Sequence, residues 1–153
     1  MISYILALII SFAGVILGGV LALIAPEELK AGEKWWKILE WGLLAIIVTV
    51  MLYFAGLTAW TIVLAAVLFA LKFVKNEYPA LIFVLVISLF FNFLFLASAL
   101  IFIYGFPKGT LDAKKVVNMK KHEIAKTILY VFKKNLLYLI FGFVLLPLLL
   151  AYA

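Results

Sequence analysis

From Ile38 to Val74 the chain runs mostly apolar for 37 residues, a length that constrains the fold more than any motif it carries. As one α-helix, at about 1.5 Å per residue, it would be about 55 Å long, nearly twice the roughly 30 Å hydrocarbon core of a bilayer. It therefore has to fold back on itself. The natural break is Ala55, Gly56, Leu57 and Thr58, a tight helical hairpin from which the next span starts at about Thr58.

The same reasoning extends along the chain because its composition is that of a membrane protein. Apolar residues make up 69% and charged residues 13%, against roughly 45–50% and 25% in soluble proteins, and the mean hydropathy is +1.31. At 153 residues the chain is one domain with room for five or six crossings of about 20 residues. The expected fold class is all-α, a polytopic transmembrane helical bundle of about five spans: 2–25, 35–55, 58–74, 80–104 and 135–152. Pro26 ends the first span, since a residue before proline is driven out of the α region. An apolar run of this length with no preceding lysine or arginine disfavours a signal peptide. Pro26, Glu27 and Glu28 open a short interfacial helix that Gly32 stops, and Trp35, Trp36 and Trp41 mark the headgroup level of the second span. Pro79 opens the fourth span, Gly105 and Pro107 close it, and Pro147 kinks the fifth.

Between the last two spans lies a basic segment, 105–134, holding eight of the thirteen lysines. Ala113, Val117, Ile124, Ile128 and Val131 fall near one helical face and Lys115, Lys126 and Lys133 opposite, with Lys114, Lys120 and Lys121 at the apolar edge. This reads as a lysine-rich amphipathic juxtamembrane helix whose side chains, Lys108 and Lys134 included, meet lipid headgroups. In the five-span layout the N-terminus, the Gly56 turn and segment 105–134 share a side with eight lysines, and the other side has five. The positive-inside rule makes the first side cytoplasmic and puts the C-terminus outside a multi-pass cell-membrane protein.

Three polar constellations stand out. In the first span Ala7, Ser11, Gly14, Gly18, Ala22 and Ala25 step by three and four onto one face, where small side chains let two membrane helices approach closely. That face packs within the monomer, or else against a second copy or another membrane subunit. Glu40 lies 17 residues before Leu57 and Lys72 lies 15 after it, so in an antiparallel hairpin their depths differ by only about 3 Å and they can pair. Asn92 sits about 20 Å into the fourth span, with Ser88 one turn earlier, and needs hydrogen-bond partners from a neighbouring helix.

No catalytic arrangement accompanies them. Cysteine is absent, which removes disulfides and thiolate chemistry. His122 is the only histidine, position 126 is lysine where HExxH needs histidine, and no acidic cluster offers a metal site or paired carboxylates. Gly105, Lys108 and Gly109 lack P-loop spacing, and a turn capped by Thr110 or Asp112 accounts for them. No cofactor and no nucleic-acid partner is expected: arginine is absent, and the tether to a bilayer makes anionic lipid the nearer polyanion. The absence of glutamine and cysteine is compatible with a thermophile's avoidance of labile residues. The chain thus reads as a non-catalytic accessory, scaffold or assembly component that contacts anionic lipid or another membrane subunit. The alternative is a small oligomeric transporter or channel.

Overall fold

The computed structural model describes residues 2–74, 77–117 and 124–151, leaving aside the side chains of 28, 30, 74, 115, 117 and 148–151. The described residues are helical almost throughout: α1 (Ile2–Ile24), a single turn α2 (Glu28–Ala31), α3 (Glu33–Ala55), α4 (Ala59–Val74), a 3-10 turn at Tyr78–Ala80, α5 (Leu81–Phe90), α6 (Leu94–Val117) and α7 (Ile124–Ala151). Four segments, Ile2–Ile24, Glu33–Ala55, Leu94–Lys114 and Ile124–Pro147, are long and apolar enough to cross a membrane; Ala59–Phe73 and Tyr78–Phe90 are shorter apolar helices.

α3 and α4 meet at Gly56, whose φ of 79° ends α3 in a conformation that glycine adopts without strain. Thr58 and Thr61 then cap α4 reciprocally. The Thr61 N–H donates to Thr58 Oγ1 at 3.3 Å, the Thr58 N–H donates to Thr61 Oγ1 at 3.0 Å, and the Thr61 hydroxyl also donates to the Gly56 carbonyl at 2.6 Å. This is a capping box with threonine in the place of the usual glutamate.

The expected fourth span, 80–104, is not one helix. α5 ends at Phe90, and Asn92 takes φ +58°, while the Phe93 N–H donates to the Ser88 carbonyl at 3.0 Å. This six-to-one bond with a left-handed residue inside it is a Schellman stop, with asparagine where glycine is more common. The chain reverses there, and α6 returns antiparallel to α5, so that Tyr104 stacks on Tyr78 with ring centroids 6.3 Å apart. The tip of this hairpin reaches the far end of α3, where Phe93 stacks on Phe54 at 5.0 Å. Asn92 is therefore an exposed turn residue, not a mid-span amide; Ser88 is buried and bonds back to the Leu85 carbonyl at 2.7 Å.

α6 is the central helix, touching α1, α3, α5 and α7. It lies parallel to α1 with the two backbones in near contact. A methyl group at Gly14 would stand 2.0 Å from the Phe102 carbonyl oxygen, and one at Gly109 would stand 2.0 Å from that of Val15. Such approach brings the two helices into dispersion and polar contact, including a Thr110 hydroxyl bond to the Gly18 carbonyl at 3.0 Å. The small-residue face of α1 is thus spent inside the monomer: Ala7, Ser11, Gly14, Gly18 and Ala22 are buried, and Ala25 is half-buried.

The packing also carries α6 through Pro107, so the expected stop at Gly105 and Pro107 does not occur, and Thr110 and Asp112 are helical residues rather than caps of a turn. Close contact with α1 and the Thr110 bond back to the Phe106 carbonyl at 2.8 Å outweigh the proline's missing N–H. α7 runs the opposite way, with Tyr138 against Ser11 at 2.6 Å and the Tyr4 hydroxyl on the Gly142 carbonyl at 3.3 Å. It begins at Ile124, eleven residues before the expected fifth span, and is continuous through Pro147. The described parts of segment 105–134 therefore form the ends of two long helices instead of one surface helix; residues 118–123 lie outside the described set.

The extra reversal at Asn92 changes which chain ends lie together. The N-terminal end of α1 is at the opposite end of the bundle from Lys108 and Thr110, because α1 and α6 are parallel and Thr110 meets Gly18. The five-span arrangement, with the N-terminus and the basic segment on one side, is replaced by six legs and with it the eight-to-five division of lysines. Every lysine among the described residues now lies toward one end, in α2, the first part of α3, the last part of α4, the second half of α6 or the first half of α7.

Candidate functional site

Four charged side chains and a tyrosine meet below the surface at that end. The Lys72 ammonium of α4 lies 2.6 Å from Glu40 Oε2 of α3, as their matched depths about the Gly56 hairpin imply. Glu77, in the turn between α4 and α5, joins them. Its Oε1 accepts from Lys72 at 3.1 Å, from Lys108 of α6 at 3.0 Å and from the Tyr104 hydroxyl. Lys108 also lies 3.8 Å from Glu40 Oε1. Glu77 is fully buried, and Glu40 and Lys108 are about 6% and 5% exposed. Lys108, expected at a lipid headgroup, is thus a core ion: α6 continues as a helix past Pro107 and its packing on α1 turns this side chain toward Glu77.

Two lysines and two glutamates leave this group formally neutral, which is how so much charge is held at low exposure. Burial disfavours the Glu77 charge, but the Lys108 ammonium, the Tyr104 hydroxyl and the Lys72 ammonium outweigh it and hold the carboxyl down at about 2. The hydrogen bonding of this carboxylate is lopsided. Three donors converge on Oε1, while Oε2, also buried, has no partner among the described residues.

The cluster forms the inner wall of a half-open cavity of about 470 Å³. Lys37, Lys72, Lys108, Lys114 and Lys134 face it, together with Glu33, Glu40, Glu77 and Asp112; five cations against four anions give a net charge of +1. Toward the outside Lys114 and Lys37 pair with Glu33, the second at 2.7 Å. Lys134 of α7 pairs with Asp112 of α6, whose other oxygen accepts from Asn135 Nδ2 at 3.2 Å. These outer lysines are partly exposed, Lys114 at 18% and Lys134 at 24%, so they can exchange partners with an incoming anion. Trp41 closes one edge, its ring 5.6 Å from the Lys72 ammonium.

Of the other lysines expected at headgroups, Lys133 is exposed and Lys126 lies on the first turn of α7. The Lys115 side chain, Lys120, Lys121 and His122 lie outside the description. Sequence reasoning paired Glu40 with Lys72 but passed over Glu77 and Tyr104. The missed signal is the same arithmetic about a second tip: Glu77 lies 15 residues before Asn92 and Lys108 lies 16 after it. Among the described residues no three histidine or acidic side chains gather as a metal site.

Fold and site together define an all-helical bundle with membrane-length apolar helices and a charged cavity at one end. No protein-family model, curated protein or solved structure matches the chain.

Proposed function

We propose that this chain is a non-catalytic integral membrane protein that seats the phosphate of an anionic lipid headgroup in its lysine-walled cavity, as an accessory or assembly component of the membrane. The observation that supports this reading most is the cavity itself, net positive and lined by Lys37, Lys72, Lys108, Lys114 and Lys134. A cavity toward one end of membrane-length helices suits an anionic headgroup, and lysine serves phosphate as a mobile point charge. By the positive-inside rule the lysine-bearing end is cytoplasmic, which puts both ends of the described chain outside.

Native mass spectrometry from gentle detergent tests the reading. The protein should retain phosphatidylglycerol in preference to phosphatidylcholine, and replacing Lys114 and Lys134 with alanine should remove the preference. Equal retention of the two lipids by the unaltered protein would refute it.

A further inference from the structure

A second depression lies beside the charged one. α4 packs chiefly on α3, where Phe69 and Phe73 meet the ring of Trp41, and this leaves a slot of about 240 Å³ between α4 and α7. Its lining is wholly apolar: Leu71 from α4, Pro79 and Ala80 from the 3-10 turn, Phe83 from α5, and Leu137 and Phe141 from α7. Pro79 and Ala80 are buried and form its floor, while Phe83, Leu137 and Phe141 are exposed at its rim. The slot continues the lysine cavity in both position and direction. Leu71 precedes the cavity residue Lys72, Pro79 follows Glu77 by two residues, and Leu137 lies one helical turn beyond Lys134. α5 and α7 both run away from the lysine-bearing end, so Phe141 lies about 10 Å deeper than Lys134. A site that is cationic at the end of the bundle and apolar toward its middle has the profile of a phospholipid, charge above and hydrocarbon below.

We infer that the slot seats one acyl chain of the lipid whose phosphate lies in the cavity, so that the two depressions form one site for an intact anionic phospholipid. This rests on the phosphate-binding reading above and adds the path of the chain. The chain gains no hydrophobic energy by entering the slot, since the bilayer already surrounds it with hydrocarbon. What the slot contributes is tethering: a chain packed between α4 and α7 keeps its phosphate beside Lys134 at high effective concentration. A water-soluble phosphate lacks that second contact, so the site selects lipid over the free headgroup.

Photo-crosslinking tests the assignment on the unaltered protein. In phosphatidylcholine vesicles, phosphatidylglycerol with a diazirine in the upper part of one chain should label Leu71, Phe83, Leu137 and Phe141 severalfold more than Leu17 and Ile103, which are exposed at similar depth on α1 and α6. Phosphatidylcholine with the same diazirine should show no such preference. Labelling spread evenly over all these positions, or the same slot preference from both lipids, overturns the inference. The phosphate reading survives that result so long as native mass spectra still show phosphatidylglycerol retained over phosphatidylcholine. Protein-to-protein crosslinks through the slot in place of lipid adducts would assign it to a second copy of the chain and equally overturn the inference. Glycerophosphoglycerol, the same headgroup without chains, should fail to displace the labelling lipid when equimolar with it, and displacement would contradict the tether. Leu137→Trp, which fills the slot from α7, should lower phosphatidylglycerol retention severalfold, whereas Val144→Trp, exposed on the same helix beyond the slot, should leave it unchanged. Equal effects of the two substitutions would count against the slot, and the crosslinking result decides the matter if Leu137→Trp does not fold.

Discussion

Lys108 shows what a single residue holds in this molecule. Its ammonium, 3.0 Å from Glu77 Oε1 and 3.8 Å from Glu40 Oε1, balances a charge in a place where water cannot. Removing one member of a buried ion network leaves the others uncompensated, commonly at about 3–5 kcal/mol. Lys108→Met should accordingly lower the melting temperature in detergent far more than Lys37→Met, whose side chain is 60% exposed, and equal shifts would contradict the network. The pH dependence follows from Glu77. Its carboxyl is held at about 2 against an ordinary 4.5, so the unfolded chain takes up the proton first as the solution is acidified. The stabilisation from this group is fully present above about pH 4.5 and is lost as the pH falls from there toward 2. Acid melts of the native protein and Glu77→Gln should converge across that window, and parallel curves would show that Glu77 contributes nothing to the acid limb.

At the scale of elements, the two hairpins explain both what was legible in the sequence and what was not. The α3–α4 reversal carries Gly56 and Thr58 in a run otherwise too long to cross once, so the turn and the Glu40–Lys72 pairing both follow from counting. The α5–α6 reversal is hidden among Phe90, Phe91, Phe93 and Phe95 with neither glycine nor proline to mark it, and Asn92 alone supplies the left-handed turn. Missing that one residue moved the N-terminus to the wrong end and left Glu77 without a partner. Pro107 misled in the other direction, because tertiary packing on α1 overrode its local preference. The turn predicts that Asn92→Gly is tolerated while Asn92→Val, β-branched at φ +58°, costs about 1–2 kcal/mol. Chemical denaturation of the two variants would show it, and equal stability would argue against the reversal. The α1–α6 contact predicts that Gly109→Ala, which drives a methyl into the Val15 carbonyl, costs about 1–3 kcal/mol. Gly42→Ala, with nothing within 4 Å of the added carbon, should be close to neutral. A neutral Gly109→Ala would contradict the near contact of the two backbones.

For the whole molecule, the reversal at Asn92 gathers the charges. Six legs bring the first part of α3, the first half of α7, the last part of α4, the second half of α6 and the turn at Glu77 to one end, and the cavity exists because they converge there. Five legs would have divided the same lysines between two sides and left no such cavity. The absence of cysteine from the sequence makes the arrangement directly measurable, since single cysteines can be introduced without background. Four positions are exposed and span the two ends: Ile2 and Leu57 at one, Lys34 and Lys133 at the other. In sealed vesicles labelled with a membrane-impermeant maleimide, Lys34→Cys and Lys133→Cys should react from the same side, and Ile2→Cys and Leu57→Cys from the opposite one. Labelling of Lys133→Cys together with Ile2→Cys would contradict the six-leg bundle and the cavity that depends on it.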